Sequence, residues 1–280
     1  MLLKRVLTAA VGIPAVLVII MGAGSRVFFV FVLLAAVAAL TEFYTMVLPA
    51  GEIRARLLGT VLGACVLFAA YLDAHSGNGA PAGHGFITSA CCVFSLLVLF
   101  FYHFFSDRDL RGACSLIGLQ VFGIFYIALL FSYVILIRKW HDGSSVLLFF
   151  LLVTWAGDSG GYLIGSWKGR HALCRTVSPN KTIEGALGSM VLGVAAACAC
   201  RVLFLGGLDL LNCLVLGAGI NIMNQLGDLC ESVVKRSAGA KDSGSVFPGH
   251  GGVLDRIDSL LFAAPFVFYY IAVMVPELWK

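Results

Sequence analysis

Apolar runs long enough to cross a bilayer recur nine times in this chain, at roughly 6–23, 27–48, 57–72, 86–104, 114–137, 145–165, 184–205, 208–226 and 253–275. A crossing helix needs about 20 mostly apolar residues. Composition agrees: 60% of the 280 residues are hydrophobic and 12% charged, with a mean hydropathy of +0.97. A soluble domain is typically about half apolar and a quarter charged, so the solvent for most of this chain is lipid. The expected fold is all-α, a polytopic membrane protein of about nine transmembrane helices. Eight or ten remain open, because 57–72 is short enough to be re-entrant and 114–137 is long enough to tilt or break. The start, MLLKRVLTAAVGIPAVLVIIMGAG, resembles a signal peptide, but the many spans that follow make it a retained first helix.

The net charge of +4 is too small for a nucleic-acid footprint. It reads instead as the lysines and arginines that set topology. With the N-terminus in the cytoplasm, 14 of the 19 basic residues fall on the inner side and 5 on the outer. Arg138 and Lys139 are the misfit. Nine cysteines include no CxxC pair, and Cys65, Cys91, Cys92, Cys198, Cys200 and Cys213 sit within apolar runs. They read as small buried hydrophobes rather than a disulfide framework.

Polarity divides the chain in two. Residues 1–140 form N-terminal transmembrane helices with short connections, including a Gly- and Pro-rich external turn at 76–85. Such helices suit dimerisation and lipid contact. Residues 141–280 hold two larger cytoplasmic loops, 166–183 and 227–252, rich in Gly, Ser and Lys. No internal repeat supports a repeat-built transporter, so chemistry is expected in this second half.

The chemistry-bearing residues cluster there. Asp228, Glu231, Ser232 and Lys235 follow i, i+3, i+4, i+7 spacing and share a helix face. Taken alone they fit a solvated helix end with a Glu231–Lys235 pair. The preceding INIMNQLGD keeps them at or in the membrane, where ionisable groups are costly and usually functional. Asp255 and Asp258, three apart at the start of the last span, project from one face. Two carboxylates so placed repel unless a cation lies between them, and magnesium takes one or two carboxylates plus phosphate oxygens. Asp228, Asp255 and Asp258 together are the expected ligands of one or two metal ions.

Arg256 suits a phosphate. Gly249, Gly251 and Gly252 leave backbone N–H groups and a helix N-terminus open to an anion. Lys235, Arg236 and Lys241 lie between the acidic groups, and Lys181 sits in SPNKTIEG at the start of another helix. Asp158, in the cytoplasmic half of the sixth span, either bonds a neighbouring helix or lines the same cavity. Glu42, near an interface, reads as a snorkelling group. His250 is set for phosphate hydrogen bonding or a structural role, since an ionised phosphate nucleophile needs no base. The other histidines lack zinc-ligand spacing.

Residues 232–258, SVVKRSAGAKDSGSVFPGHGGVLDRID, resemble the characteristic segment of the phosphatidate cytidylyltransferases, the CDP-diacylglycerol synthases. The pattern is Ser, two residues, Lys-Arg, four residues, Lys-Asp, the His-Gly-Gly turn and Asp-Arg-x-Asp, with every position filled. SPNKTIEG at 178–185 resembles a second family segment, although Asn180 and Ile183 stand where the family often has lysine and tryptophan. The resemblance implies transfer of the cytidylyl group from CTP to phosphatidate, releasing pyrophosphate, with Mg2+ as cofactor and a second ion as an extension. It implies Asp228, Asp255 and Asp258 as metal ligands, and Lys235, Arg236, Lys241 and Arg256 as holders of CTP or lipid phosphates. Lys181, Ser232, Asp242, His250, Gly251, Gly252 and Asp158 complete the expected substrate site, and Lys241 joins the three aspartates as catalytic. Homodimers, a cell-membrane location and a site facing the cytoplasm are also implied. Two alternatives remain at this stage: a CTP-dependent lipid kinase, and an ion-coupled transporter. The transporter would need charges along a pathway, whereas these cluster at one end.

Overall fold

The computed structural model describes residues 2–76, 85–106, 112–244 and 251–278. The helices are α1 (Leu2–Gly22), α2 (Ser25–Val47), α3 (Ile53–His75), α4 (Phe86–Phe104), α5 (Ala113–Gly123), α6 (Leu130–Arg138), α7 (Gly143–Lys168), α8 (Ile183–Leu203), α9 (Leu210–Ser237) and α10 (Leu254–Met274). A π-helical turn, Ile124–Leu129, joins α5 to α6. Among the described residues, eight helices are long and apolar enough to cross a membrane, counting Ala113–Arg138 as one. Gly12–Gly22 in α1 is a shorter apolar stretch. The all-helical, multi-pass architecture is therefore the one expected.

Three local departures have physical causes. Residues 57–72 belong to a full-length helix of 23 residues, because its polar ends find partners. Arg56 donates to the Leu48 carbonyl at 2.6 Å. Asp73 accepts from the amides of Ile87 and Thr88 at 3.2 and 2.8 Å and from the Thr88 hydroxyl at 2.6 Å, which caps the first turn of α4. The long fifth span breaks its ladder at the π turn, where the Tyr44 hydroxyl donates to the Gln120 carbonyl at 2.6 Å. A side chain inserted at a helix carbonyl is a recognised cause of such irregularity. Finally, α9 runs on to Ser237, so residues 227–237 are helix and not loop. Asp209 caps its start, accepting from the Asn212 amide at 2.6 Å, and Gly239 ends it at φ +69, the left-handed conformation glycine adopts without penalty.

The chain forms two compact units. The first contains residues 1–11, 24–136 and 242–256, the second 12–23, 137–241 and 257–280. In the first unit α2 packs on α3, and α3 on α4 and the π turn. Its interior holds a polar knot: Gln120, fully buried, donates to the Ala55 carbonyl at 2.8 Å and meets His103 Nε2 at 2.9 Å.

The second unit is built on glycine. A Cβ on Gly160 would lie 2.5 Å from the Gly188 carbonyl, and one on Gly188 would lie 2.6 Å from Ile164 Cβ. Lipid supplies no hydrophobic drive between helices, so close backbone approach at small residues is what joins α7 to α8. The Asn221 amide of α9 fills the gap left by Gly157 and Gly193, accepting from the Ser189 hydroxyl at 3.0 Å and donating to the Gly217 carbonyl at 2.7 Å. Helix α10 runs antiparallel to α9: Tyr270 bonds Asn212 at 2.7 Å, Phe266 covers Gly219, and the Asp258 carbonyl lies against Gly227. Gly188→Leu is expected to lower the thermal midpoint in detergent, corresponding to about 1–3 kcal/mol of overpacking. Gly206→Ala, at a position with open space around it, should leave the midpoint unchanged.

Candidate active site

Gly227 decides where the acidic residues meet. An added Cβ there would lie 2.7 Å from the Asp258 carbonyl, so its absence lets the α10 backbone press against α9 beside Asp228. Helical spacing then places Asp228 and Glu231 one turn apart, facing Asp258. One oxygen from each of the three carboxylates lies within 4.8 Å of the others. Glu231 is fully buried and Asp258 is 8% exposed.

Two lysines converge on this trio. Lys235, one turn after Glu231, contacts its carboxylate at 2.5 Å. Lys181 reaches Asp228 at 2.5 Å, and it arrives from an element the apolar pattern does not reveal. Residues Ala172–Cys174 (β1) and Ser178–Thr182 (β2) form a short antiparallel hairpin, pairing Ala172 with Thr182 and Cys174 with Ser178. Lys181 therefore lies on a strand immediately before α8. Glu184, in the first turn of α8, pins the hairpin base: it accepts from the amides of Arg170 and His171 at 3.1 and 3.2 Å and meets His171 Nδ1 at 2.5 Å. Thr182 caps the same helix, accepting from the Gly185 amide at 3.1 Å.

The remaining expected residues are divided between the two units. The Ser232 hydroxyl lies 3.5 Å from an Asp228 oxygen. Arg236 is exposed and donates to the Ala240 carbonyl at 3.1 Å, while Lys241 and Asp242 are exposed beyond the end of α9. Asp158 is exposed on α7. In the first unit, Gly251 adopts φ +77, and Asp255 accepts from the amides of Gly252 at 2.7 Å and Ser243 at 3.1 Å. Arg256 is exposed on the next position. His250 lies outside the described residues.

Two further residues of α9 stand out beside those expected from the sequence. Glu231 joins Asp228 and Asp258 in the carboxylate trio, although its i, i+3 relation to Asp228 was visible. Asn224, one turn before Asp228 on the same helix, is 3% exposed and neither of its amide atoms has a hydrogen-bond partner among the described residues. A buried, unsatisfied amide is uncommon in a folded protein.

The donor set suits a hard divalent cation. All three ligand groups are carboxylates, as magnesium prefers, and opposite ligands of such an ion lie about 4.2 Å apart. Three formal negative charges against two ammonium groups leave one negative charge for a cation to neutralise.

Fold and centre together define a multi-pass membrane protein with a carboxylate–lysine cluster between two of its spans. Residues 3–274 match the cytidylyltransferase family, and the chain belongs to that family of nucleotidyltransferases. A phosphatidate cytidylyltransferase of Synechocystis sp. is 30% identical over 98% of both chains. Proteins of the same description from Bacillus subtilis and Staphylococcus saprophyticus are 36% and 38% identical. Those two alignments take in 56% and 51% of this chain and 58% and 54% of the relatives, so against them the chain matches little more than half their length.

Removing Lys235 takes the ammonium group away from a fully buried carboxylate. Lys235→Met is expected to cost about 3 kcal/mol, and the double variant Lys235→Met/Glu231→Gln to recover most of it. Reversible unfolding of the purified protein in mixed micelles measures both.

Proposed function

We propose that this protein catalyses the reaction of CTP with phosphatidate to give CDP-diacylglycerol and pyrophosphate, at the cytoplasmic face of a cell membrane. One observation carries the reading: a buried carboxylate–lysine centre lies between two membrane-spanning helices in a chain that a phosphatidate cytidylyltransferase matches over nearly its full length. A phosphate oxygen of the lipid attacks the α-phosphorus of CTP, and the bond to the bridging oxygen of pyrophosphate breaks. The nucleophile is already ionised, so no general base is required. The obstacle is bringing one anion onto another, and catalysis of such transfers is mainly positioning and neutralisation of charge.

Each group has a part in that task. Asp228 and Asp258, with Glu231, are the proposed ligands of Mg2+. Asp255, which accepts from the Gly252 and Ser243 amides, is a further proposed metal ligand. When bound, Mg2+ supplies positive charge to the phosphate oxygens of CTP and of the leaving pyrophosphate. Lys181 and Lys235 stand beside the carboxylates and would hold phosphate oxygens of the substrates. Arg236, Lys241 and Arg256 are exposed and are proposed to meet phosphates, and Ser232, Asp242 and Asp158 are further proposed substrate-binding residues. The amides of Gly252, Val253 and Leu254 already donate to Asp255 and Glu42. The glycine turn of Gly251 and Gly252 thus serves the substrate by shaping the approach, while the side-chain cations carry the phosphate contacts. Acyl chains of phosphatidate stay in the bilayer as its headgroup enters the site. A homodimer is part of the same reading, by analogy with the family.

Purified protein supplied with phosphatidate, Mg2+ and CTP labelled at either the α- or the γ-phosphate tests the proposal. The α-label is expected in the lipid product and the γ-label in pyrophosphate. Transfer of the γ-label to lipid would make the protein a lipid kinase, and no labelled lipid with either substrate would remove the enzyme reading. Asp258→Asn is expected to lower turnover at least about a hundredfold while the protein still elutes as the wild type does. Near-full activity would take Asp258 out of the site.

A further inference from the structure

Helix α10 begins without a cap of its own. Its first N–H groups need acceptors, yet Gly251, Gly252 and Val253 offer no side-chain oxygen. The acceptor comes from α2. Glu42, 8% exposed, takes the Val253 amide on one carboxylate oxygen and the Leu254 amide on the other, each at 2.9 Å. The Ser243 hydroxyl donates to Glu42 at 3.2 Å and accepts from the Asp255 amide at 3.3 Å. Ser243's own amide donates to the Asp255 carboxylate at 3.1 Å. Glu42, Ser243 and Asp255 thus form one continuous network around the first turn of α10.

The surrounding sequence leaves room for this carboxylate. A Cβ on Gly244 would lie 2.5 Å from a Glu42 oxygen, and one on Gly252 would collide with the other oxygen and with the Ser243 hydroxyl. Burying a charge without compensation costs several kcal/mol, and here three donors and the positive end of a helix dipole offset that cost. Placement so constrained does more than end a helix, because the residues it orients are Asp255 and Arg256.

We infer that Glu42 is a positioning residue for the active site, holding the first turn of α10, with Ser243 as the bridge, so that Asp255 is set as a metal ligand. The inference rests on the metal-assisted reading proposed above. A cap with a structural role alone is available for comparison in the same unit: Asp73 serves α4 through the Ile87 and Thr88 amides and lies outside the proposed site.

Binding of Mn2+ to the full-length protein in detergent, read from the electron paramagnetic resonance of the free ion, tests the inference without turnover. Glu42→Gln is expected to weaken Mn2+ binding about tenfold, which at 1.4 kcal/mol per decade is about 1.4 kcal/mol. Asp73→Asn should lower the thermal midpoint and leave Mn2+ binding unchanged. A folded Glu42→Gln with wild-type Mn2+ affinity, or a loss equal to that of Asp73→Asn, overturns it. If Glu42→Gln does not fold, Ser243→Ala breaks the same network at its bridge. A threefold weakening in that variant supports the inference, and wild-type affinity overturns it. A wild-type protein that binds Mn2+ but makes no CDP-diacylglycerol would sink the proposed reaction and leave the Glu42 result standing.

Discussion

A carboxylate carried into a bilayer has to find its compensation within the protein, since no water is present to supply it. That requirement organises the structure around residues 227–258. Glu231 is sealed off from solvent and held by Lys235. Asp228 is met by a lysine brought in on a hairpin. Glu42 is met by backbone amides and a hydroxyl. Each of these acidic groups arrives with its own donors, and in the acidic trio the carboxylates outnumber the paired lysines.

Glycine is the means by which these groups come together. In water, apolar side chains would drive helices to associate, but in lipid the contacts must be earned by close approach. Gly160, Gly188 and Gly227 each sit where a methyl group would meet a neighbouring backbone or side chain. At Gly227 the same economy has a chemical result, because the neighbour is the carbonyl of Asp258. Packing and site share one atomic cause.

Much of this was legible beforehand. Hydropathy located eight of the nine expected spans, all but the C-terminal end of α9 to within a few residues, since the need for about 20 apolar residues is a hard constraint. Helical spacing brought out Asp228, Glu231, Ser232 and Lys235 as one face, and the Asp255–Asp258 pair stood out against an apolar run. What stayed hidden has a common origin in tertiary context. The hairpin of residues 172–182 has too few residues for a periodic signal, and its position depends on Glu184 and His171. The extension of α9 to Ser237 was masked by polar residues that resemble a loop. Glu42 read as an interfacial group because its partners lie more than 200 positions away. Sequence spacing carries no information about an acceptor supplied at that range.

Asn221 has a consequence for motion. Its amide fills the notch between α7 and α8 and is bonded to Ser189 and to its own helix. Withdrawing it would leave a polar group stranded in hydrocarbon, so α7, α8 and α9 are bolted into one piece. Within this unit, the hairpin bearing Lys181 lies outside that bolt. Asp228 and Glu231 thus belong to the bolted piece, whereas Lys181, the partner of Asp228, is carried by an element of its own.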